Sequence, residues 1–137
     1  MTPLVLAGTA QITLLTYYAA SHWIPLRGFN DLRFENRQAN FYIQLFMAVL
    51  AVSTLLGHRF ELWVAAGWYA VWMNGHLMSW WIPYLTGHPK AAIAVNKQRA
   101  YTFLPRIRDR VAPDLLHTIM GVLSVVTLLA TWRAALS

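Results

Sequence analysis

Apolar positions along the chain gather into four long runs separated by short polar or basic stretches, which predicts helices over about 4–24, 32–57, 61–85 and 113–133. At about 1.5 Å of rise per residue, roughly 20 residues cross a hydrocarbon layer about 30 Å thick. The pattern therefore predicts an all-α integral membrane four-helix bundle, occupying residues 1–137 as one domain. The first run has no Lys or Arg before it and is longer than the apolar part of a leader, so it is expected to be a retained helix. Gly57 and His58 leave only a tight turn between the second and third helices.

The third run, ELWVAAGWYAVWMNGHLMSWWIPYL, carries Asn74 and His76 well inside it. A polar pair at membrane depth is costly unless it meets protein partners or lines a wet cavity, which makes it the first place to seek function. At helical spacing Tyr69, Trp72, His76 and Trp80 share one face, while Gly67, Val71, Asn74, Gly75 and Met78 share a neighbouring one. The second face is small enough for close helix contact, and Gly67, Gly75 and Gly121 permit packing within a bundle or in a homo-oligomer.

Composition sharpens this picture. The chain is 58% hydrophobic and 12% charged, where a soluble domain has about a quarter charged residues, so the net charge of +6 points to membrane orientation and no nucleic acid is expected as a partner. Cysteine is absent, which excludes disulfides, thiolate ligands and Cys nucleophiles. The basic residues sit in two connections: Arg27, Arg33 and Arg37 after helix 1, and Lys90, Lys97, Arg99, Arg106, Arg108 and Arg110 after helix 3. Only Arg59 and Arg133 lie elsewhere. The expected location is a cell membrane, with multiple passes, both termini outside the cytoplasm and one longer cytoplasmic loop between helices 3 and 4. In that loop Pro89 could open a short segment lying on the inner membrane surface, with Ala92, Ile93 and Val95 on its apolar side.

This orientation gives every helix polar side chains at one depth, near the cytoplasmic face. They are His22 on helix 1, Asn40 and Gln44 on helix 2, Asn74 and His76 on helix 3, and Asp114 and His117 at the start of helix 4. A cavity open to the cytoplasm and floored by Trp72 and Met47 follows as an expectation. Its candidate catalytic residues are His76, His117 and Asp114, with the carboxylate orienting the imidazole three residues on. Its candidate binding residues are His22, Asn40, Gln44, Trp72, Asn74, Trp80 and Arg106. The expected ligand is a small amphipathic or lipid-like molecule, with membrane lipids as the surrounding partners; the cofactor, if there is one, is left unknown. No paired His or Glu-x-x-His spacing marks a metal site, so none is expected. The bland reading of each histidine near a helix end is an interfacial side chain bonded to water or a carbonyl.

The segment RFENRQANFYIQLF, residues 33–46, resembles the start of helix 2 in the membrane-associated glutathione and eicosanoid enzymes, which are small trimeric four-helix proteins with a cytoplasm-facing site. The resemblance implies contact of Arg37, Asn40 and Gln44 with a peptide-like thiol cofactor. It covers about a tenth of the chain, and the basic loop after helix 3, WWIPYL and PDLLH depart from that family's pattern. Two other classes fit the same features. One is a small oligomeric transporter, disfavoured by the lack of a mid-membrane carboxylate; the other is a haem-binding or accessory subunit of a larger membrane complex.

Overall fold

The computed structural model describes residues 1–26, 30, 32, 35–88, 101–102, 104–105, 107–108 and 110–137, and these residues form helices with no strand among them. In chain order they are α1 (Pro3–Trp23), α2 (Arg37–Leu56) and α3 (Arg59–His76), which runs on through a π-helical turn (Leu77–Trp81) into α4 (Ile82–Thr86), and then α5 (Leu115–Leu136). α1, α2 and α5 are each long and apolar enough to cross a membrane. Arg106 and the inner-surface segment expected from Pro89 lie outside the described residues.

Each boundary has a local cause. Thr2 caps α1 through Val5 N–H at 3.3 Å, with Pro3 at the first helical position. At the other end the Asn30 amide donates to the carbonyls of Ser21 (2.7 Å) and Ile24 (2.8 Å). α2 starts at Arg37 and not near residue 32, because the Asn36 side chain accepts Ala39 N–H at 3.0 Å and Glu35 is outside the helix. It stops at Gly57, whose φ of 76° suits glycine; Gly57 donates to Thr54 and His58 to Ser53, a Schellman closure. Asp114 is the cap of α5, and Pro113 precedes it.

The π turn also has a cause in the sequence. Pro83 has no N–H to give to the carbonyl of Ser79 four residues back, and its ring crowds that carbonyl, so the helix widens just ahead of it. Ile82 N–H bonds Leu77 O instead. The wide turn keeps the chain helical through Thr86.

α1 packs on both α2 and α5, α3 packs on α5, and the seam between α2 and α3 is the least extensive of these contacts. Small residues fill one end, where Ala7, Leu62, Ala66, Ala130, Ala134 and Ala135 meet. Larger ones fill the middle, among them Leu14, Tyr18, Met47, Leu50, Tyr69 and Met120. Polar bonds run between the helices: Gln11 Nε2 donates to Thr131 Oγ1 (3.0 Å), Thr127 Oγ1 to Ala10 O (3.1 Å) and Tyr17 OH to Leu116 O (3.0 Å). Meanwhile Val49, Val52, Leu55, Leu56, Val122 and Leu129 stand exposed. Small and polar groups inside with branched apolar groups outside is the arrangement suited to a lipid solvent.

Glycine usage divides sharply. A Cβ on Gly121 would stand 2.8 Å from His76 Nε2 and 3.2 Å from Trp81 Nε1, so this glycine permits the α3–α5 approach. Gly67 and Gly75 have nothing within 4 Å of that position, so the small face of α3 makes no close contact among the described residues.

Candidate functional site

Where the carboxyl ends of α1 and α3 meet the amino ends of α2 and α5, the described residues enclose an open cavity of about 330 Å³. Its wall is largely aromatic, from Tyr18, Trp68, Trp72 and Trp80, with Met120 among its apolar members. Three histidines line it: His22, His76 and His117. Of the residues expected to form the site, Trp72, Trp80 and these three histidines are thus brought together.

The histidines differ in what they offer. His117 Nδ1 lies 2.7 Å from Asp114 Oδ1, the atom that also accepts the His117 backbone N–H at 2.8 Å. A carboxylate can only accept, so Nδ1 carries the hydrogen and Nε2, at the far edge of the ring, is left with a free lone pair. The His117 side chain is 17% exposed, and its side-chain hydrogen bond among the described residues is the one at Nδ1. Trp80 fixes the ring plane by stacking on it at 3.7 Å and 27°.

His22 is more committed. Its Nδ1 donates to Tyr18 O at 2.8 Å, and its Nε2 stands 3.5 Å from Glu35 Oε2. The ring therefore presents a face to the cavity, against the Tyr18 ring at 4.2 Å. His76 is buried beside Gly121, its Nε2 without a hydrogen-bond partner, and its ring lies nearly parallel to that of His117 at 6.3 Å.

Polar bonds behind the wall hold it in place. Tyr18 OH donates to Asn40 Oδ1 (2.8 Å), and Asn40 Nδ2 donates to Glu35 Oε2 (3.1 Å). Trp72 Nε1 donates to Ser124 Oγ (3.0 Å), which in turn donates to Met120 O (2.7 Å). The indole of Trp72 also meets the edge of Tyr18 at 5.0 Å. The wall is thereby pinned to α1, α2 and α5.

Several expected residues stand elsewhere. Asn74 is exposed on the outer side of α3, because the face bearing Tyr69, His76 and Trp80 is the one turned inward. Met47 is fully buried in the core and does not floor the cavity; Met120 takes that place beside Trp72. Asn40 acts from behind the wall through Tyr18, and Gln44 Oε1 accepts from Trp23 Nε1 at 2.8 Å. Arg37 is exposed. Arg37, Asn40 and Gln44 thus have three different settings, and none of them lines this cavity. Tyr18, Trp68 and Ser79 line it without having been singled out. Two could have been found by helical spacing alone, as Tyr18 lies four residues before His22 and Trp68 four before Trp72.

Among the described residues no group of three or more His, Asp or Glu side chains could hold a metal ion. Comparison with family models, curated proteins and solved structures gives no match for this chain.

Proposed function

We propose that the chain is a four-helix bundle of a cell membrane, with both termini outside the cytoplasm, whose cavity at the cytoplasmic end binds a small amphipathic or lipid-like molecule. His117, held by Asp114, is the group available for acid or base chemistry on that molecule. The orientation is supported by the basic residues in the two connections at that end, against Arg59 and Arg133 at the other. α3 with its continuation supplies the fourth crossing. Its indoles and Asn74 make it less uniformly apolar than the other three.

The observation that carries the binding reading is the pairing, in one cavity, of indole walls with imidazole nitrogens left unengaged by the protein, Nε2 of His117 and of His76. Apolar walls hold an apolar body, and a single well-placed polar group fixes its orientation. His76 lines the same cavity from a more buried position, and its Nε2 is likewise without a hydrogen-bond partner among the described residues. The test is to extract detergent-purified protein with solvent and identify bound molecules by mass spectrometry. One amphiphile in near-stoichiometric amount, depleted in His117→Ala protein of unchanged melting temperature, is the expected result. Equal lipid content in both proteins would refute the reading.

A further inference from the structure

We infer that the cavity is filled sideways from the bilayer, by a single-chain amphiphile whose terminal hydroxyl donates to His117 Nε2 and whose hydrocarbon chain leaves between α2 and α3. The inference rests on the membrane-bound amphiphile reading above and adds to it the class of ligand and its route.

The route follows from the side on which the described wall is made of small and aliphatic residues. On the α1 and α5 sides it is sealed by Tyr18, by Trp72 bonded to Ser124, and by Trp80 stacked on His117. On the remaining side the rim consists of Ile43 from α2 with Val71, Gly75 and Ser79 from α3 and the π turn, along the least extensive helix seam. Val71 is 68% exposed, and the space over Gly75 is empty for 4 Å. Gly75 lies 16 residues beyond Arg59, which is about 24 Å along a helix and therefore still within a hydrocarbon layer of about 30 Å that begins near Arg59. An opening at that depth faces acyl chains. Exposed apolar side chains stand on either side of it, Leu45 and Phe46 on α2 and Met78 on the π turn, with Asn74 exposed next to Gly75.

The chemistry of the polar end follows from the groups on the described wall, whose polar members are imidazoles, indoles and the Ser79 hydroxyl. His22 has both ring nitrogens engaged, whereas His117 offers Nε2 as an acceptor, and His76 Nε2 and the Trp68 Nε1–H are also without partners among the described residues. The complementary ligand is a neutral hydrogen-bond donor, and a hydroxyl at the end of a chain supplies it. Trp68 and Trp72 flank the path of the first methylenes.

The chain contains no cysteine, so Gly75→Cys creates a single thiol at the rim. Benzyl methanethiosulfonate converts it to a mixed disulfide, placing a ring in the gap, and dithiothreitol removes it. Oleyl alcohol binding is measured by ligand-induced change in melting temperature on the same preparation before modification, after it, and after reduction. The expected result is affinity weakened at least about tenfold by the benzyl group and restored by reductant. Methyl oleate, which has the chain without the donor, is expected to bind at least about tenfold more weakly than oleyl alcohol to the unmodified protein.

Unchanged affinity in the modified protein, with binding still lost in His117→Ala, overturns the lateral route and leaves the proposed function standing. Equal affinity for methyl oleate, or tighter binding of dioleoylphosphatidylcholine, overturns the hydroxyl assignment. Failure of oleyl alcohol to bind the unmodified variant and the parent protein alike, while another amphiphile copurifies with the parent, removes the inference alone. If no amphiphile copurifies or binds, both readings fall.

Discussion

A single oxygen of Asp114 accepts both the backbone N–H of His117, at 2.8 Å, and its ring Nδ1–H, at 2.7 Å. The first bond caps a helix and the second aims an imidazole, so one carboxylate couples the start of α5 to the orientation of the His117 ring. The two roles are separable by substitution. Asp114→Ala removes both and should cost about 1–2 kcal/mol of stability from the lost cap, together with ligand affinity. Asp114→Ser keeps a capping oxygen on a shorter side chain that no longer holds the ring. It is expected to melt near the parent temperature yet to bind amphiphile as weakly as Asp114→Ala, as thermal melts with and without oleyl alcohol would reveal.

Gly121 and Gly75 provide a contrast in one residue type. A methyl at Gly121 meets His76 Nε2 at 2.8 Å and Trp81 Nε1 at 3.2 Å in a packed seam. Gly121→Ala should therefore destabilise by about 1–3 kcal/mol through overpacking. At Gly75 a methyl meets nothing, and Gly75→Ala should be neutral or stabilising by up to about 1 kcal/mol through helix propensity. Parallel melts of the two variants in one detergent decide this, and equal destabilisation would show that the α3–α5 seam is not where it is drawn.

The four helices could be read from the apolar runs, and three of them are long and apolar enough to cross a membrane, because length and apolar content are properties of sequence. His22, His76 and His117 line one cavity for a related reason: each sits near an end of its helix, and those ends lie side by side. Which way a polar residue turns was harder. Asn74 and His76 are two positions apart and thus about 200° apart around a helix, so only one could face inward. Tyr69, Trp72 and Trp80 share the His76 side, which the spacing had grouped correctly, whereas placing Asn74 in the cavity as well required a second inward face that α3 does not have. Met47 was expected to floor the cavity but is fully buried in the core, and Met120 of α5 lines the cavity. The start of α2 at Arg37 was hidden by a stretch without Pro or Gly, and Asn36 as a cap was the signal passed over.

Gln11 and Thr131 join α1 to α5 deep in the fold, and Gln11 Oε1 is already buried without a partner. Thr131→Val leaves the whole amide unsatisfied and should cost about 0.6–1.7 kcal/mol. Gln11→Leu made in the Thr131→Val background should recover most of that loss, since no buried amide then remains. A double-mutant cycle by thermal or chemical denaturation in detergent gives the coupling. An additive result would remove this bond from the account of α1–α5 packing.

Orientation can be checked independently, again because the chain has no cysteine. Single cysteines replacing Thr2, Ser137 or Gly87 are exposed in intact cells to a maleimide that does not cross membranes. Labelling at positions 2 and 137, and at 87 only after the cells are opened, is the expected pattern. The reverse pattern would place the cavity on the outer side.

Occupancy of the cavity is tested most directly by a long-chain alcohol carrying a mid-chain diazirine, photolysed with the protein in lipid nanodiscs, with adducts mapped by peptide mass spectrometry. Adducts that excess oleyl alcohol competes away should concentrate on Ile43 and on the segment from Trp68 to Trp80, which flank the cavity and its opening. Adducts spread over outward residues such as Val52, Leu55, Val125 and Leu129, with no competed component, would mean that the alcohol merely dissolves in the surrounding lipid and that this cavity binds no amphiphile.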